Sequence, residues 1–296
     1  MRIAITGASG FIGRELLNEI GKTDTNVVAL TRDASDCTGS EKLIWRETDY
    51  SKESLELALQ DVEVIVHLAG VRGTTTNRED YVINETITEN ILKAMVTCKV
   101  SRIVFASTIS VYNDVSTIPW KEDSKLEART MYGESKIACE KMIVDYAQKN
   151  GFVYSILRIA QVIGLGEKRR GMMNVFIDTA KAGGELKVIG KSVAKRQYVY
   201  VEDLVKAMKI LAMQIERGNQ IFNVGMIKSY TNLEIAKIVN EVFENITPIN
   251  YDDSQPETIK SSCMNTEKIR EEFNIEFRDM KKAVSKLANK KGRIIL

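Results

Sequence analysis

Near its first residue the chain reads Arg2-Ile3-Ala4-Ile5-Thr6-Gly7-Ala8-Ser9-Gly10-Phe11-Ile12-Gly13. An apolar, strand-like run ends at Gly7, and a helical pattern begins near Gly10. Glycine allows a positive φ and a close approach of the backbone to a ligand, and a helix N-terminus offers unpaired N–H groups that suit a pyrophosphate. The spacing G-x-x-G-x-x-G between a strand and a helix therefore predicts a dinucleotide-binding turn, with an ordinary glycine-rich turn as the alternative.

Composition limits the kind of protein that the chain can be. Its 296 residues are 44% hydrophobic and 28% charged, so the chain can bury a sizeable core. The formal net charge of +2 argues against nucleic acid as the main partner. The four cysteines are far apart and lack a C-x-x-C pair, which is typical of a reducing compartment and offers no metal site.

The sequence shows no sign of a membrane segment. No apolar run approaches the length of a membrane span, and a strand-like run already begins at Arg2, where a signal peptide would otherwise lie. We therefore expect a cytoplasmic protein with no membrane partner. The short basic segments Lys168-Arg169-Arg170 and Lys290-Lys291-Gly292-Arg293 are expected to be solvated, with contact to a substrate phosphate as the alternative for the first.

Strand-like runs alternate with helical patterns over the first 160 residues. This alternation is typical of βαβ units and a parallel sheet, so we predict an α/β fold with a doubly wound parallel (Rossmann) sheet and a smaller C-terminal substrate lobe. The predicted domains are a dinucleotide-binding domain over 1–160, to which 197–225 returns, and a mainly substrate-binding lobe over 161–296. Such sheets bind ligands at the carboxyl ends of their strands. The residues expected at such ends are Gly7, Arg32, Gly70 and Ser107.

The sharpest chemical pattern is the segment Tyr132-Gly133-Glu134-Ser135-Lys136. Residues four apart on a helix share a face, so we expect the phenol of Tyr132 to lie beside the ammonium of Lys136. A nearby positive charge lowers the pKa of a phenol from its usual value of about 10, and the tyrosinate can then exchange a proton with a sugar hydroxyl or carbonyl near neutral pH. Ser107 and Thr108 are expected to hold that oxygen. An ordinary surface pair of tyrosine and lysine is the alternative.

In combination, these segments resemble the extended short-chain dehydrogenase/reductases, the group of NAD(P)-dependent nucleotide-sugar epimerases, dehydratases and reductases. The resemblance runs through nearly the whole chain, and UDP-hexose 4-epimerases are the subgroup that it fits best. The segments that carry it are Gly7, Gly10 and Gly13 of the first turn, His67-Leu68-Ala69-Gly70, Asn84, Ser107-Thr108-Ile109-Ser110-Val111-Tyr112, Tyr132 with Lys136, Leu157-Arg158, Gly164-Leu165-Gly166, Arg196-Gln197-Tyr198-Val199-Tyr200-Val201-Glu202-Asp203 and Phe222-Asn223-Val224-Gly225.

The resemblance also implies roles for individual residues. The implied catalytic residues are Tyr132, Lys136, Thr108 and Ser107. The implied NAD or NADP site comprises Gly7, Ser9, Gly10, Phe11, Ile12, Gly13, Leu68, Ala69, Gly70, Asn84, Tyr132 and Lys136. Arg32 is a further candidate for this site. The implied nucleotide-sugar site comprises Thr108, Tyr132, Gln161 and Arg196, with Arg196 on the diphosphate. We add Asn174, which opens a helix of the predicted lobe, with core or lid packing as its alternative. The single histidine, His67, is expected to pack and form hydrogen bonds at a strand end rather than to act in catalysis.

Three departures from the family pattern affect the function. Where NAD-selective members carry an acid, this chain has Thr31-Arg32, and a guanidinium suits a 2′-phosphate. This favours NADP(H) acceptance, with an arginine stacked on the adenine as the alternative. Ile109-Ser110 stands where dehydratases of the family carry an Asp-Glu pair, which disfavours 4,6-dehydration. Gln161 replaces a frequent asparagine, and the nucleotide-binding arginine near the end of the family pattern has no counterpart at Ser254-Gln255-Pro256-Glu257, which leaves the nucleotide open.

The function predicted from these observations is a 4-epimerase acting on a nucleoside-diphosphate hexose such as UDP-GlcNAc or UDP-Glc through a transient 4-keto sugar. In this reaction Tyr132 takes the proton of the 4-hydroxyl while the nicotinamide takes a hydride from C4 and then returns it to the other face. Two alternatives stay open: an NADPH-dependent reductase of 4-keto sugars, which needs the same residues, and a non-catalytic dinucleotide-binding sensor or scaffold. The resemblance further implies a homodimer through the helical segments 81–96 and 132–149, with a fully covered face of a monomer as the alternative.

Overall fold

The structure, a computed structural model, describes residues 1–73, 75, 77–167, 171–214 and 218–289. The two basic segments that were expected to be solvated, 168–170 and 290–293, lie outside the described residues. Contacts between Cα atoms divide the chain into two compact units. The first contains residues 1–113, 122–159 and 204–223, and the second contains residues 114–121, 160–203 and those from 224 onward.

Strands and helices alternate along the described chain. The strands are β1 (Arg2–Thr6), β2 (Asn26–Thr31), β3 (Leu43–Glu47), β4 (Val64–His67), β5 (Arg102–Thr108), β6 (Val153–Ile159), β7 (Gln161–Ile163), β8 (Lys187–Ile189), β9 (Arg196–Tyr200), β10 (Gln220–Val224), β11 (Ser229–Tyr230) and β12 (Asn250–Asp252). The α-helices are α1 (Phe11–Ile20), α2 (Lys52–Ala58), α3 (Val82–Cys98), α4 (Met131–Asn150), α5 (Met172–Lys181), α6 (Val201–Met213), α7 (Asn232–Val242), α8 (Glu267–Phe273) and α9 (Met280–Asn289).

A sheet of seven strands, in the order β10-β6-β5-β4-β1-β2-β3, forms the centre of the first unit. All neighbouring pairs from β6 to β3 are parallel. The direction of winding reverses at β1, which lies between β4 and β2, and ligands of such sheets bind at the carboxyl ends of the strands near the reversal. The doubly wound parallel sheet predicted from the sequence is therefore confirmed, and the turns after β1 and β4 lie at its binding edge.

The strands of this sheet have continuous apolar runs because both faces are covered. Ile3, Ala4 and Ile5 of β1 are all fully buried, as expected for a central strand of a parallel sheet. On one face, side chains of the strands pack with Ile91 of α3 and Ile143 of α4 in a single apolar cluster. This cluster fixes α3 and α4 against the sheet, so that residues at their N-terminal ends lie near the carboxyl ends of the strands.

The second unit has its own core and two small sheets. One has the order β11-β9-β7, and the other pairs β12 with β8. Phe176, Leu186, Tyr198 and Val284 belong to its apolar cluster. The segment that returns to the first unit is 204–223, shorter than the predicted 197–225, because β9 pairs with β7 and β11 instead of joining the large sheet. That the two units serve as cofactor domain and substrate lobe stays a prediction.

Some surface features bear on partners. None of the helices in the described part of the chain is both long and apolar enough to cross a membrane. Val82, Ile83 and Val96 of α3 are exposed apolar side chains on one of the two helices expected at a dimer interface. The homodimer itself stays a prediction.

Candidate active site

The glycine-rich turn connects β1 to α1 at the binding edge of the sheet. Gly7 has a φ of +65°, and its N–H donates to the hydroxyl of Tyr50 at 3.2 Å. The Gly10 N–H donates to the Gly7 carbonyl at 3.0 Å, and Gly10 then caps α1 without any side-chain hydrogen bond to its first turn. The first turn of α1, including Phe11 and Ile12, therefore directs backbone N–H groups toward the turn.

The backbone of Gly7, Gly10 and Gly13 forms a cradle in which there is no room for side chains. A Cβ atom on Gly13 would lie 2.3 Å from the Gly7 carbonyl oxygen and 2.6 Å from that of Ala8, and a Cβ on Gly7 would lie 2.9 Å from the Ala69 nitrogen. Only glycine fits at Gly13 without a backbone shift. Close backbone packing around an uncapped helix N-terminus is what a dinucleotide pyrophosphate requires, so these residues fit such a cofactor.

The end of β2 carries the residues expected near the adenosine ribose. The hydroxyl groups of Ser9 and Thr31 lie 3.3 Å apart, which joins the glycine turn to β2. Arg32 is exposed. The carboxylate of Asp33, one residue further, accepts hydrogen bonds from the N–H and the hydroxyl of Ser35 at 2.9 and 2.7 Å, and these bonds lower its pKa. The acid at this strand end is thus held by hydrogen bonds within its own loop, and both the acid and the arginine are exposed.

Thr6 organises the end of β4. Its Oγ1 accepts from the N–H groups of Leu68 and Ala69 at 3.0 and 3.1 Å, so its proton is directed to His67 Nδ1 at 2.8 Å. His67 Nε2 then donates to the hydroxyl of Thr88 at 3.1 Å. This pattern requires the neutral Nε2–H tautomer. Burial, with a smaller effect of the Lys136 charge, holds the pKa of His67 well below 6.5, in agreement with a structural role.

The neutral state of His67 predicts a pH dependence of stability. The unfolded chain takes up a proton at its single histidine near pH 6.5, whereas the folded chain does not. The free energy of unfolding should be unaffected by His67 above pH 6.5 and should fall by about 1.4 kcal/mol per pH unit below it, until the folded pKa is reached. Urea denaturation between pH 7.5 and 5.5 measures this slope. The variant His67→Gln should lack it, and equal slopes in both proteins would contradict the assignment.

Asn84 connects the loop after β4 to α4. Its side-chain oxygen accepts from the Val71 N–H at 2.6 Å, and its Nδ2 donates to the Val71 carbonyl at 2.9 Å and to Ser135 Oγ at 3.1 Å. Ser135 Oγ in turn donates to the Tyr132 carbonyl at 2.8 Å. A Cβ on Gly70 would lie 3.0 Å from the Asn84 side-chain oxygen. Asn84 therefore fixes both the loop that follows Gly70 and the first turn of the helix that carries Tyr132.

Lys136 lies deep in this arrangement, with 4% of its surface exposed. Its Nζ donates to the Ala106 carbonyl at 2.9 Å and lies 4.5 Å from the centre of the Phe105 ring and 5.9 Å from that of Tyr132. A Cβ on Gly70 would lie 3.8 Å from the same Nζ. The structure thus brings Tyr132, Lys136 and the end of β4 together, and the lysine is oriented by β5.

The pKa values differ from the sequence-based expectation. Burial raises the pKa of Tyr132 to about 12, and the positive charge that acts against burial is that of Arg72. Burial also lowers the pKa of Lys136, with Cys139 and Glu140 acting in the opposite direction. The expectation that Lys136 lowers the pKa of the phenol is therefore corrected: its ammonium is directed to the backbone of β5, and desolvation of the phenol is the larger effect.

The two hydroxyl groups at the end of β5 have different partners. Ser107 is buried, and its hydroxyl donates to the carboxylate of Glu140. Thr108 Oγ1 accepts from the Ser110 N–H at 3.2 Å, which caps a short 3-10 turn over Ile109–Val111. Thr108 thus uses its oxygen as an acceptor and can donate its proton, whereas the proton of Ser107 is already given to Glu140.

The remaining predicted substrate residues belong to the second unit. Gln161 is an exposed residue of β7 and pairs in register with Tyr198 of β9. Arg196 begins β9, and its guanidinium forms a hydrogen bond with the Tyr198 side chain. Asn174 lies in the first turn of α5 and is half-buried. The nucleotide-sugar roles of these residues stay predictions.

Two elements of the site were missed in the sequence. Glu140 lies four residues after Lys136 and forms a buried ion pair with Arg158, at 2.8 Å between Arg158 Nη2 and Glu140 Oε2. The sequence signal that could have identified Glu140 is its spacing, because it continues the interval of four residues from Tyr132 to Lys136 along α4. Arg72 gave no signal beyond its place two residues after Gly70.

The comparisons with known proteins agree with this geometry. Residues 3–225 match the model of the NAD dependent epimerase/dehydratase family. The chain belongs to this family. The resemblance described from the sequence is therefore confirmed, and with it the prediction of an enzyme that uses a nicotinamide cofactor on nucleotide sugars.

The family members most similar to this chain include epimerases and a reductase. A UDP-N-acetylglucosamine 4-epimerase from Bacillus cereus has a crystal structure that superposes with a TM-score of 0.87, with 33% identity over 97% of this chain and 95% of that chain. A UDP-glucose 4-epimerase from Azospirillum brasilense is 26% identical over 92% of this chain and 86% of its own length. A dTDP-4-dehydro-6-deoxyglucose reductase from Escherichia coli is 25% identical over 85% of this chain and 84% of its own length. These three relatives are named for nucleotide-sugar substrates, and both epimerases and a reductase occur among them.

Proposed function

We propose that this family member is a 4-epimerase that interconverts two nucleoside-diphosphate hexoses, such as UDP-GlcNAc or UDP-Glc and their C4 epimers, through a transient 4-keto sugar. The observation that carries the proposal is the position of Lys136 on α4, whose Nζ lies 5.9 Å from the centre of the Tyr132 ring and donates to the carbonyl of Ala106, two residues before Thr108 at the end of β5. The likeness to a UDP-N-acetylglucosamine 4-epimerase over nearly the full length supports the same reaction. Ile109 and Ser110 offer no carboxylic acid to expel a C6 hydroxyl, which argues against 4,6-dehydration.

The residues of the first unit fit a nicotinamide dinucleotide. The cradle formed by Gly7, Gly10 and Gly13 would hold the pyrophosphate, because it combines close backbone packing with the N-terminus of α1. Arg32 would lie at the adenosine end, together with Leu68–Gly70, and Lys136 with Asn84 at the nicotinamide end. When bound, the nicotinamide would accept the hydride from C4 of the sugar in its oxidised form and return it from its reduced form, and the positive charge of the oxidised form would act against the effect of burial on the pKa of Tyr132.

Tyr132 is the group that exchanges the proton of the sugar oxygen. Its pKa of about 12 keeps the phenol protonated at neutral pH in the free chain, so positive charge is needed before it can act as a base. Arg72 supplies part of that charge. Thr108 donates its hydroxyl proton to the same sugar oxygen, and Lys136 orients the cofactor. Tyr132 and Thr108 therefore hold or move a proton at one oxygen of the substrate, whereas Arg72 acts through its charge and Lys136 through the cofactor.

A 4-keto-sugar reductase is the second candidate, and Arg32 is the observation that favours it. An exposed guanidinium at the end of β2 suits the 2′-phosphate of NADPH, which a reductase uses as a consumable reductant. If Arg32 binds that phosphate, NADPH should bind about tenfold or more tightly than NADH, since hydrogen bonds between charged groups are the strong ones. Fluorescence titration of the purified protein gives both dissociation constants. Equal values would remove the phosphate role and leave an arginine that only packs on the adenine.

A panel of substrates separates the possible functions. The purified protein is incubated with UDP-GlcNAc, UDP-Glc and NDP-4-keto sugars, each with and without NADPH. Formation of the C4 epimer without a stoichiometric reductant supports the epimerase, and consumption of NADPH with a 4-keto sugar supports the reductase. Inactivity across the panel would overturn both and favour a dinucleotide-binding sensor or scaffold.

A further inference from the structure

Three residues of α4 lie on the face of the helix that is turned toward β5. Tyr132, Lys136 and Glu140 follow one another at intervals of four, which puts them on one side of a helix over two turns. Lys136 Nζ donates to the carbonyl of Ala106 at 2.9 Å, and the carboxylate of Glu140 accepts the proton of Ser107. Lys136 and Glu140, one helical turn apart on α4, thus form hydrogen bonds with Ala106 and Ser107. These are the two residues of β5 that precede Thr108.

The carboxylate of Glu140 is itself held in a fixed orientation. Arg158 Nε lies 3.2 Å from both carboxylate oxygens, and Arg158 Nη2 donates to Oε2 at 2.8 Å. Only 4% of the Glu140 side chain and 3% of the Arg158 side chain are exposed. Arg158 is the register partner of Ser107 on the neighbouring strand β6. The ion pair therefore lies beside the last residues of β5, the strand that ends in Thr108.

Arg158 has further hydrogen-bond partners besides Glu140. Its Nη1 donates to the hydroxyl of Tyr112 and to the Glu122 carbonyl, both at 2.8 Å, and the Tyr112 hydroxyl donates to the side chain of Asn223 at 2.9 Å. Burying a charged pair is costly compared with apolar side chains of similar volume, and it contributes little net stability. A gain in stability therefore explains this ion pair poorly. The fixed orientation that it gives to the Glu140 carboxylate explains it better.

We propose that Glu140 is a positioning residue of the reaction, which acts by accepting the hydroxyl proton of Ser107 and so fixing the end of β5 against the helix that carries Tyr132. This inference depends on the proposed function. An ionised carboxylate can only accept hydrogen bonds, so Ser107 must donate to it. Thr108, the next residue, is then presented to the sugar oxygen in a constant relation to the phenol on the same helix.

The inference predicts a specific kinetic effect. Ser107→Ala removes the hydroxyl and keeps the ion pair, and Glu140→Leu combined with Arg158→Met removes the acceptor without leaving either charge unpaired. Each change should lower kcat about tenfold, because small displacements of positioned groups reduce the rate strongly. The KM for the sugar and the dissociation constant for the cofactor should stay within about twofold, since neither ligand is predicted to contact Glu140.

The matched control is Ser155→Ala. Ser155 is a buried serine of β6 whose hydroxyl accepts from Arg102 at 3.3 Å, so the same change removes a hydroxyl beside a buried arginine. Its register partner is Val104, three residues before Ser107 on β5. Its kcat should stay within about twofold of the wild type, with a similar change in melting temperature to that of Ser107→Ala.

The triple variant combines Ser107→Ala with Glu140→Leu and Arg158→Met. It tests whether Ser107 acts through Glu140 or whether the two residues affect kcat independently. If Ser107 acts through Glu140, adding Ser107→Ala to the double variant should lower kcat no further, so the total loss stays about tenfold. A loss that multiplies to about a hundredfold, or a kcat of Ser107→Ala within twofold of the wild type, would overturn the inference. If the double variant fails to fold, the comparison of Ser107→Ala with Ser155→Ala decides alone. The wild-type rate in the same assay tests the proposed function separately, because an inactive wild type refutes that function and not the contacts of Glu140.

Discussion

Tyr132→Phe should lower turnover of the nucleotide sugar by about a hundredfold to ten-thousandfold, the range that proton transfer by a positioned side chain contributes. The change removes only the phenolic oxygen and keeps the ring, whose centre lies 5.9 Å from that of the buried Tyr81. Folding and cofactor binding should therefore be preserved. Steady-state kinetics, together with a fluorescence titration of the cofactor, measures both parts of this expectation.

Tyr146→Phe provides the control for this variant. Tyr146 lies on the same helix α4 and packs against the apolar core of the first unit, so the same oxygen is removed outside the site. Its turnover should stay within about twofold of the wild type. Near-normal turnover of Tyr132→Phe would contradict the proton-transfer role, whatever the control shows.

Gly13→Ala should abolish cofactor binding and lower stability. The new Cβ would lie 2.3 Å from the Gly7 carbonyl oxygen and 2.7 Å from the Ala8 Cα atom, and both are backbone atoms of the cradle. Because the turn must shift to make room, we expect the dissociation constant of the cofactor to rise at least a hundredfold. The free energy of unfolding should fall by about 1–3 kcal/mol, as for other overpacked sites. Titration with the cofactor and urea denaturation give the two values.

Gly171→Ala is the matched control for the cradle. Gly171 caps α5 with a φ of −97°, and a Cβ there would meet no atom within 4 Å. The same added methyl group should leave cofactor binding unchanged. Unchanged cofactor binding by Gly13→Ala would show that the close packing at the turn does not matter for the ligand.

The sequence predicts the parts of the fold that depend on long patterns. The alternation of strands and helices and the glycine spacing of the first turn were sufficient for the parallel sheet and its binding edge, because both follow from local conformation and burial on two faces. The strands β7, β11 and β12, with two or three residues each, have too few positions to show a period. The extent of the segment that returns to the first unit depends on which sheet β9 joins, and this is decided by tertiary pairing.

The site was predictable in its residue types and less so in its electrostatics. Spacing alone puts Tyr132 and Lys136 on one face of a helix, and the structure agrees. Spacing does not tell how deeply a phenol is buried or that the lysine points to the Ala106 carbonyl, so the direction of the pKa of Tyr132 was predicted wrongly. The ion pair of Glu140 with Arg158 joins a helix to the following strand, and in the sequence each residue looks like an ordinary charged side chain.

The most direct test of the account is the fate of the hydrogen atom on C4 of the sugar during epimerisation in D₂O. The purified protein is incubated with UDP-GlcNAc and the products are followed by proton NMR. If Tyr132 exchanges only the proton of the 4-hydroxyl while C4 is oxidised and reduced again, the C4 epimer should form with its C4 hydrogen retained at full intensity. Deuterium at C4 of the product, or no epimer with any nucleoside-diphosphate hexose of the panel, would contradict it.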